Sequence, residues 1–495
     1  MTRAALVPVI IGVGQVNDRP GPEEPGLDSA GLMLAALAAA EQDAGVALLG
    51  RLDWLGVVNQ ISFPDPAIDA ALADRLPARP GHLHLTGDAS GHGPVELLNR
   101  AANAIGRGEV RIAAITGGEA LRTAARRDGG GAMANALAAA AEAGATPLAR
   151  RYGLVTPADV YPLYENATRA AWGQTLAEAQ AETALIWSGM SKVAAANPNA
   201  WLHQPVDPAG ILAEGPANRM ISFPYTKLMV ANSAVNQGAA LIVTSLAMAR
   251  ELRVPEHRLI FVGAGAAAHE PADFLRRDGF TASASLNATI DGTLAANGLV
   301  MGILDHVELY SCFPCVPKMA RRRLGWPVDR PHSVYGGLTF GGGPIGNCMT
   351  HAAAAMVERL RAGAGTGLIV ANGGYATHNH AIALSSRPPA ANPFPQEYDV
   401  QADADALRGP APDLLEMYEG PGVLESFVMP YGREGTPRGA TIVARTPEGA
   451  RFLAAVPGDD GETLSWLSTP DGPGPVGGRG RSLALGDGRC RWVRE

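Results

Sequence analysis

Cysteine, aromatic residues and charge are all scarce in this chain of 495 residues. Its four cysteines are too few for a disulfide framework in so long a chain, so we expect a reducing, cytoplasmic environment. Two of them, Cys312 and Cys315, have CxxC spacing, but no second pair follows, and no metal site is expected. Charged residues make up 18% and hydrophobic residues 47%, which favours a globular protein over a disordered one.

Net positive charge and long apolar runs are absent as well. The formal net charge of −8 argues against nucleic acids or acidic membrane surfaces as principal partners. The apolar start, residues 4–13, is short and interrupted by Pro8 and Gly12, so neither a signal peptide nor a membrane span is expected. The length exceeds that of one ordinary hydrophobic core, which predicts two or three domains.

Hydrophobic patterning predicts alternating strands and helices near the start of the chain. The predicted strands are residues 7–16, 54–62 and 112–116, and the predicted helices are residues 27–44 and 95–105. Asp28 or Ser29 is expected to cap the first helix. Strands that alternate with helices predict a parallel sheet with both faces covered.

Later segments divide the chain. Residues 121–230 break the alternation with Ala-rich and Arg-rich helical stretches, after which a second series of strands and helices occupies residues 280–385. Residues 386–412 are rich in Pro and Ala and predict a linker. Residues 413–495 contain short alternating runs separated by Gly, Pro and Asp, which predict a small antiparallel barrel of OB type, with a β-sandwich as the alternative.

The most informative segment is residues 335–347, YGGLTFGGGPIGN. It resembles the catalytic loop of thiolases, which reads roughly NGGxxxxGHPxGA, with Gly343 at the position of the catalytic histidine. Glycines in such a loop let the backbone approach a ligand closely. The other matching positions are Gly336, Gly337, Gly342, Pro344 and Gly346.

Four further segments resemble thiolase blocks in the order of that family. Residues 307–314, VELYSCFP, are similar to the block written HDCF or NEAF, and residues 367–380, GLIVANGGYATHNH, are similar to the CxGGG block. Residues 232–245 and 105–119 resemble the NDGAAA and GGxE segments. On these residues the chain is identified as a divergent, thiolase-like (acetyl-CoA acetyltransferase-like) member of the thiolase superfamily.

The resemblance implies an α/β protein with a duplicated thiolase fold of αβαβα layers, a loop domain and an added C-terminal β-barrel of OB type. The implied domains are a first half at 1–265 that includes the loop domain 121–230, a second half at 266–390, a linker at 391–412 and the barrel at 413–495.

Thiolase chemistry needs a nucleophilic thiolate, a histidine that activates it and a second acid or base. The segment at the expected nucleophile, residues 86–95, reads TGDASGHGPV and contains no cysteine. One register puts Asp88 at the position of the nucleophile, and another puts Gly91 there with His92 beside it. Either register lacks the thiolate, and Ser90 is one of two nearby hydroxyls.

Four residues are candidate catalytic groups. The resemblance places Tyr310 and Cys312 in a block that carries an acid or base in related enzymes, with a buried, unreactive Cys312 as the alternative. His92 is expected at the start of a helix, where amide groups favour anions, with a capping role as the alternative. His351 is the fourth, although about two helical turns, roughly 12 Å, separate it from Gly343.

Glycine and asparagine residues at the family's turns are the candidate substrate-binding groups, because backbone amides there approach a thioester carbonyl or a pantetheine arm in thiolases. His378 and His380 either line the same pocket or lie at the surface, and no further metal ligands accompany their H-x-H spacing. The candidate substrate-binding residues are Gly91, Gly342, Gly343, Asn347, Asn372, Gly373 and Gly374.

The resemblance implies an acyl-CoA-processing enzyme of the acyltransferase family, in lipid metabolism, that makes or breaks a carbon–carbon bond next to a coenzyme A thioester. A retro-aldol lyase acting on a β-hydroxyacyl-CoA is one alternative, and a non-catalytic acyl-CoA-binding protein is another, since a fold does not guarantee activity. The expected ligand is a coenzyme A thioester without a tightly bound cofactor, and a homodimer is the expected assembly.

Overall fold

The computed structural model describes residues 3–21, 23–127, 145–470, 472 and 474–495. Residues 128–144, part of the predicted loop domain 121–230, lie outside the described residues. The described strands are β1 (Pro8–Asn17), β2 (Trp54–Val57), β3 (His82–Leu85), β4 (Ile112–Ala120), β5 (Met220–Ser222), β6 (Tyr225–Thr226), β7 (Asn236–Ser245), β8 (Ile260–His269), β9 (His306–Leu309), β10 (Thr366–Gly373), β11 (His378–Ser385), β12 (Leu414–Leu415), β13 (Gly420–Val428), β14 (Gly439–Arg445), β15 (Arg451–Pro457), β16 (Arg479–Ala484) and β17 (Cys490–Arg494).

The helices of the described ranges surround these strands. They are α1 (Ser29–Ala44), α2 (Ile68–Ala73), α3 (Gly93–Arg107), α4 (Leu121–Arg127), α5 (Pro147–Arg151), α6 (Pro157–Ala171), α7 (Leu176–Ala196), α8 (Pro208–Leu212), α9 (Leu246–Glu251), α10 (Ala284–Ala296), α11 (Cys315–Leu324), α12 (Cys348–Gly363), α13 (Gln401–Leu407) and α14 (Gly461–Leu467).

The first helix shows how local sequence sets the elements. The Asp28 side chain accepts a hydrogen bond from the Gly31 amide and caps α1, as the sequence predicts. The helix ends at Gly45, whose φ of 70° is left-handed and suits glycine. Strand β2 is shorter than the predicted 54–62 and ends at Val57.

The main sheet has nine strands within the described ranges, in the order β3-β2-β4-β7-β1-β8-β11-β10-β9. Its ends are parallel, but β7, β1, β8 and β11 in its centre pair antiparallel. The prediction of a parallel sheet is therefore wrong at the centre. Periodicity identifies a strand, but its direction follows from pairings between strands that are far apart in the chain, such as β1 with β7 and β1 with β8.

The order of the strands shows an internal duplication. The first half runs outward from β1 through β7, β4 and β2, and the second half runs outward from β8 through β11, β10 and β9. Each half shows the same succession of two antiparallel pairings followed by a parallel one. This duplicated α/β arrangement is the thiolase fold that the sequence predicts.

Helices cover both outer faces and fill the space between the halves. Helix α1 packs on β1, β7 and β4, and α10 packs on β8 and β11. Helices α3 and α12 each contact strands of both halves, so they lie between them. Both central helices begin at loops that carry candidate residues, which brings those loops together.

The C-terminal segment forms a closed barrel of five strands within the described ranges, because β15 pairs with both β14 and β17. This agrees with the predicted barrel of OB type. Phe427, Ile442, Phe452 and Trp492 are fully or almost fully buried in its core. Helix α13 and the fully buried Phe394 lie within the predicted linker 391–412, and the domain limits themselves remain predictions.

The barrel packs against α6, which lies in the chain segment between β4 and β7. The Ser426 hydroxyl donates to the Leu163 carbonyl at 2.6 Å, and the Asn166 amide donates to the Phe427 carbonyl at 3.0 Å. The barrel therefore supports the helix that carries Tyr161 into the candidate site described below. No helix among the described residues has the length and apolar character to cross a membrane.

Candidate active site

Tyr310 occupies the space into which a side chain at position 91 would project. A Cβ on Gly91 would lie 2.5 Å from Tyr310 Cε2, 2.6 Å from its hydroxyl oxygen and 2.5 Å from the Asn372 carbonyl oxygen. Gly91 is buried directly before α3, whereas Asp88 is exposed. The structure thus brings Gly91, Tyr310 and Asn372 together and places a phenol at the position of one predicted nucleophile register.

Tyr310 follows β9, and its amide donates to the Val370 carbonyl of β10 at 3.0 Å. Tyr310 and Cys312 are both buried, with 8% and 9% of each residue exposed. Burial raises the pKa of Tyr310 well above its ordinary value, and the neighbouring Cys348 and Cys312 thiols add to this rise. The Tyr310 phenol therefore stays protonated at neutral pH and can donate a hydrogen bond.

Cys312 lies beside the hydroxyl of Tyr161 on α6. Burial raises the pKa of Cys312 to about 12, and the hydrogen bond with Tyr161 opposes that rise only weakly. Cys312 is therefore a neutral thiol at physiological pH, which excludes a thiolate base there. All four cysteines of the chain are free and buried.

Tyr161 connects α6, which lies in the segment between β4 and β7, to the end of β10. Its hydroxyl lies 3.0 Å from Asn372 Oδ1 and 2.9 Å from the Gly374 carbonyl, and it accepts from the Ala376 amide at 3.1 Å. The Asn372 amide nitrogen donates to Asn379 Oδ1 at 2.9 Å. The Asn372 side chain is thus committed to the protein, and its backbone carbonyl faces Gly91.

Ser90 and His92 form a polar pair at the start of α3. Ser90 Oγ lies 3.0 Å from His92 Nδ1, and Glu96 Oε2 lies 3.8 Å from Nε2. Burial lowers the pKa of His92 to about 4, and His378, which stacks on it at 4.8 Å, contributes. His92 flanks α3 as predicted and is a neutral, weak base at pH 7.

The predicted glycine turns meet this loop in two places. Gly373 lies against Ser90 and His92, and Gly346 packs on the backbone of residues 89–90. Gly374 is exposed with a φ of 62°, which suits glycine at this turn. The contact of Gly373 and Gly346 with one loop brings the ends of both halves together.

Gly342 and Gly343 lie in the same loop but contact other groups. The Gln237 side chain occupies the space beside Gly342, and the Gly343 amide donates to the Asn232 carbonyl at 2.9 Å. The Gly343 amide is therefore engaged within the protein and is not a free donor for a thioester.

His351 and Asn347 lie on α12 and at its start, apart from Tyr310. His351 is fully buried, its Nδ1 lies 3.0 Å from Gln15 Oε1, and its ring stacks on Tyr335 at 5.6 Å. Burial lowers the pKa of His351 to about 3. Asn347 is buried against Gly117, and no described residue bonds to its side-chain amide. The structure therefore gives His351 no route to a substrate at Tyr310.

His380 is buried behind the turn at Gly373 and Gly374. Its Nε2 lies 3.3 Å from Asn99 Oδ1, and its ring packs on Tyr398. Within the described ranges, no group of three or more His, Cys, Asp or Glu side chains is arranged to hold a metal ion.

Known proteins match this chain in its C-terminal segment and over its whole length. Residues 399–479 match the family model described as the thiolase-like protein type 1 additional C-terminal domain. The crystal structure of a monomeric SCP2-thiolase-like protein type 1 from Mycobacterium smegmatis aligns over 99% of both chains with 29% identity and a TM-score of 0.83. The chain is a divergent thiolase-like protein with an added C-terminal domain.

Other solved structures match about four fifths of the thiolase-like protein. Human mitochondrial 3-ketoacyl-CoA thiolase aligns over 78% of this chain and 100% of its own with 14% identity and a TM-score of 0.56. The Ltp2-ChsH2(DUF35) aldolase aligns over 78% and 100% with 19% identity and a TM-score of 0.60. At these low sequence identities, the structural alignments show a shared fold and no more. A sequence search of the curated proteins finds no match.

Sequence reasoning missed Tyr161 and Cys348 in this thiolase-like protein. Tyr161 lies in a helical stretch without a motif, about 150 positions before Tyr310, and only packing brings the two together. Cys348 directly follows the glycine loop, but its contact with Tyr310 depends on where α12 begins. No sequence signal identified either contact.

From the raised pKa of the buried Glu308 carboxyl, we predict that the free energy of unfolding depends on pH. The buried carboxylate of Glu308 accepts from the Ser333 hydroxyl and from the Val334 and Tyr335 amides, yet burial raises its pKa to about 7 from 4.5. The folded state then holds a proton that the unfolded state releases between about pH 4.5 and 7. The free energy of unfolding should therefore fall as pH rises through that window, by about 1.4 kcal/mol per pH unit from this group.

Glu308→Gln should remove that part of the slope in urea unfolding measured at pH 5, 6 and 7. Glutamine has the same shape and can still accept from the two amides. Glu251→Gln alters an exposed carboxylate on α9 and is the control. An unchanged slope in Glu308→Gln would contradict the protonated state of Glu308.

Proposed function

We propose that this protein breaks or makes a carbon–carbon bond next to a coenzyme A thioester without a covalent acyl-enzyme, as a lyase of retro-aldol type on β-hydroxyacyl-CoA. The observation that carries the proposal is Tyr310, whose phenol fills the space beside Gly91. A phenol held protonated can donate to a developing enolate or alkoxide oxygen, and it cannot serve as an acyl-accepting nucleophile at neutral pH.

In the proposed reaction, the bond between Cα and Cβ of the β-hydroxyacyl thioester breaks. The β-hydroxyl gives up its proton to solvent water and becomes the carbonyl of the released aldehyde or ketone, and solvent returns one proton to Cα, so the protons balance. The electron pair passes to the thioester as an enolate, which Tyr310 stabilises by hydrogen bonding and which then takes up a proton at Cα. No redox partner is needed, because the step rearranges electrons within one substrate.

The choice of a coenzyme A ester rests on the fold. A thiolase of this fold, the human mitochondrial 3-ketoacyl-CoA thiolase, is described in complex with CoA, and another match of the same fold is an aldolase. The exposed rim of the site, formed by Asp88, Gly374 and His378, is the side from which a pantetheine arm would reach Tyr310. The thioester is proposed as substrate, with no tightly bound cofactor.

The test is a product assay with purified full-length protein and a panel of β-hydroxyacyl-CoA and acyl-CoA esters. We expect release of an aldehyde or ketone together with the shortened acyl-CoA, and no change in the intact mass of the protein. Binding of these esters without any product would favour the non-catalytic acyl-CoA-binding protein instead.

A second candidate function is acyl transfer through Ser90, because Ser90, His92 and Glu96 follow the serine, imidazole and carboxylate order of covalent hydrolases. The low pKa of His92, about 4, makes it a weak base at pH 7 and disfavours this function. We therefore expect intact mass spectrometry after incubation with acetyl-CoA to show no acyl adduct. An adduct that appears in the unmodified protein and is lost in Ser90→Ala would favour acyl transfer.

Assembly and location remain proposals. The 29% identical relative is described as monomeric, which does not favour the homodimer that thiolase resemblance implies. Light scattering of the purified chain decides this point. A cytoplasmic location stays a prediction from the cysteine content.

A further inference from the structure

A cavity of about 370 Å³ opens beside β3, at the edge of the main sheet, and shares no lining residue with the site around Tyr310. Side chains alternate along a strand, so His82 and His84 face the cavity while Leu83 and Leu85 pack on the opposite core. Two imidazoles on one face of an edge strand have no function in the reaction proposed above.

Helix α3 forms the facing wall. Arg100, Asn103, Ala104 and Arg107 recur at helical spacing and line the cavity from one face of the helix. The Asn103 side chain is already bonded to the backbone of Gln396, at 2.8 and 3.1 Å. The side chains of Arg100 and Arg107 are 41% and 44% exposed, so their guanidinium groups remain accessible to a ligand.

Hydrogen-bond donors dominate the lining. Arg100 donates to His84 Nδ1 at 3.3 Å, which leaves the proton of a neutral imidazole on Nε2 as a further donor. Glu109 is the single carboxylate among the described lining residues, and Arg107 binds it at 2.8 Å. Arginines with unused N–H groups and a donor imidazole favour a planar oxyanion, and phosphate fits their geometry.

Aromatic side chains also line the cavity beside these hydrogen-bond donors. Trp54 is buried and already stacks on His84 with a centroid distance of 4.8 Å, whereas Tyr398 is half-buried and lines another side of the cavity. Aromatic rings of this kind accept a second ring by offset stacking. A volume of this size lies within the range of small-molecule sites.

We propose that this cavity binds an organic phosphate that carries a flat ring, of the size of a nucleoside monophosphate. Arg100 and His84 contact the phosphate, Arg107 contributes charge, and Tyr398 contacts the ring.

A ligand bound in the cavity affects the candidate active site through residues of α3. Glu96 lies between the two sites, with Oε1 3.3 Å from Arg100 and Oε2 3.8 Å from His92. A phosphate bound to Arg100 competes with Glu96 for the guanidinium and frees that carboxylate towards His92. Ligand binding should therefore change the NMR signals of the His92 imidazole.

The test is isothermal titration of the full chain with adenosine 5′-monophosphate in the absence of any acyl-CoA. We expect saturable binding that weakens about tenfold or more in Arg100→Gln, because the substitution removes a charge-assisted hydrogen bond to the phosphate. Arg250→Gln, which removes an exposed arginine paired with Glu256 and outside the cavity lining, should bind as the unmodified protein does.

Three results would overturn the proposal. The first is no binding, or equal affinity in Arg100→Gln. The second is inorganic phosphate binding as tightly as the nucleotide, which would remove the role of the ring. The third is displacement of the nucleotide by free coenzyme A, which would merge the cavity with the proposed thioester site. Tyr310→Phe should retain nucleotide binding, so failure of the lyase proposal and failure of this one are distinguishable.

Discussion

Tyr310→Phe is expected to lower lyase turnover by about 10³-fold, because an acid or base positioned at the reacting atoms contributes roughly 10²- to 10⁴-fold. Phenylalanine keeps the ring that packs beside Gly91 and loses only the hydroxyl. Folding should therefore be intact, and the loss should appear in kcat more than in KM, since the hydroxyl acts on charge that develops in the transition state. Steady-state kinetics on the best β-hydroxyacyl-CoA of the panel measures it.

The matched control is Tyr418→Phe. Tyr418 belongs to the barrel, where its hydroxyl donates to the Pro421 carbonyl at 3.0 Å, far from the main-sheet site. Its variant should keep turnover within about twofold. If Tyr310→Phe also keeps more than half of the turnover, Tyr310 is not the acid, and Cys312→Ala becomes the variant that decides.

The pKa of Tyr310 adds a second expectation to the same experiment. Because burial holds that pKa well above its ordinary value, the phenol stays protonated between pH 6 and 9, and no loss of rate in this range should arise from its ionisation. A fall in kcat of the unmodified protein with rising pH over this range that disappears in Tyr310→Phe would contradict the raised pKa of Tyr310.

Gly91→Cys should fail to restore thiolase chemistry and should destabilise the protein instead. The new Cβ would lie 2.5–2.6 Å from Tyr310 and the Asn372 carbonyl, closer than real Cβ contacts allow. Forcing a group into a packed site costs about 1–3 kcal/mol of unfolding free energy, and urea unfolding measures the loss. Intact mass after incubation with acetyl-CoA should show no adduct.

Gly87→Ala is the control in the same loop, because no atom lies within 4 Å of its Cβ position. It should change stability by less than about 0.5 kcal/mol. Adding Tyr310→Ala to Gly91→Cys removes the ring contact but also empties a buried aromatic position, so the double variant should lose less stability than the sum of the two single variants. A fully stable Gly91→Cys protein that accepts an acyl group would show that the loop opens to admit a nucleophile.

The sequence predicted elements of the first half and of the barrel well where local rules apply. The cap at Asp28, the start of α3 at His92 and the short alternating strands of the barrel each depend on neighbouring residues, and each is observed. Strand direction was wrong at the centre of the sheet, because direction depends on long connections and on packing between the two halves.

The candidate site divides in the same way. Motif positions identified Gly91, Tyr310, Asn372 and Gly373, which do lie together. They also identified Gly343, whose amide donates within the protein, and His351, whose Nδ1 contacts Gln15 while its Nε2 is buried without a partner among the described residues. Counting along a helix gave the distance of His351 from the glycine loop but not the direction in which its ring points.

By itself, the sequence determined which groups are missing: no cysteine stands in residues 86–95 and no histidine stands at position 343. Only the tertiary structure decided what replaced them, since Tyr310 follows β9 in the second half and Gly91 precedes α3 in the first. The two meet because α3 packs between the halves of a duplicated sheet, and contacts between residues about 220 positions apart are set by packing rather than by local sequence.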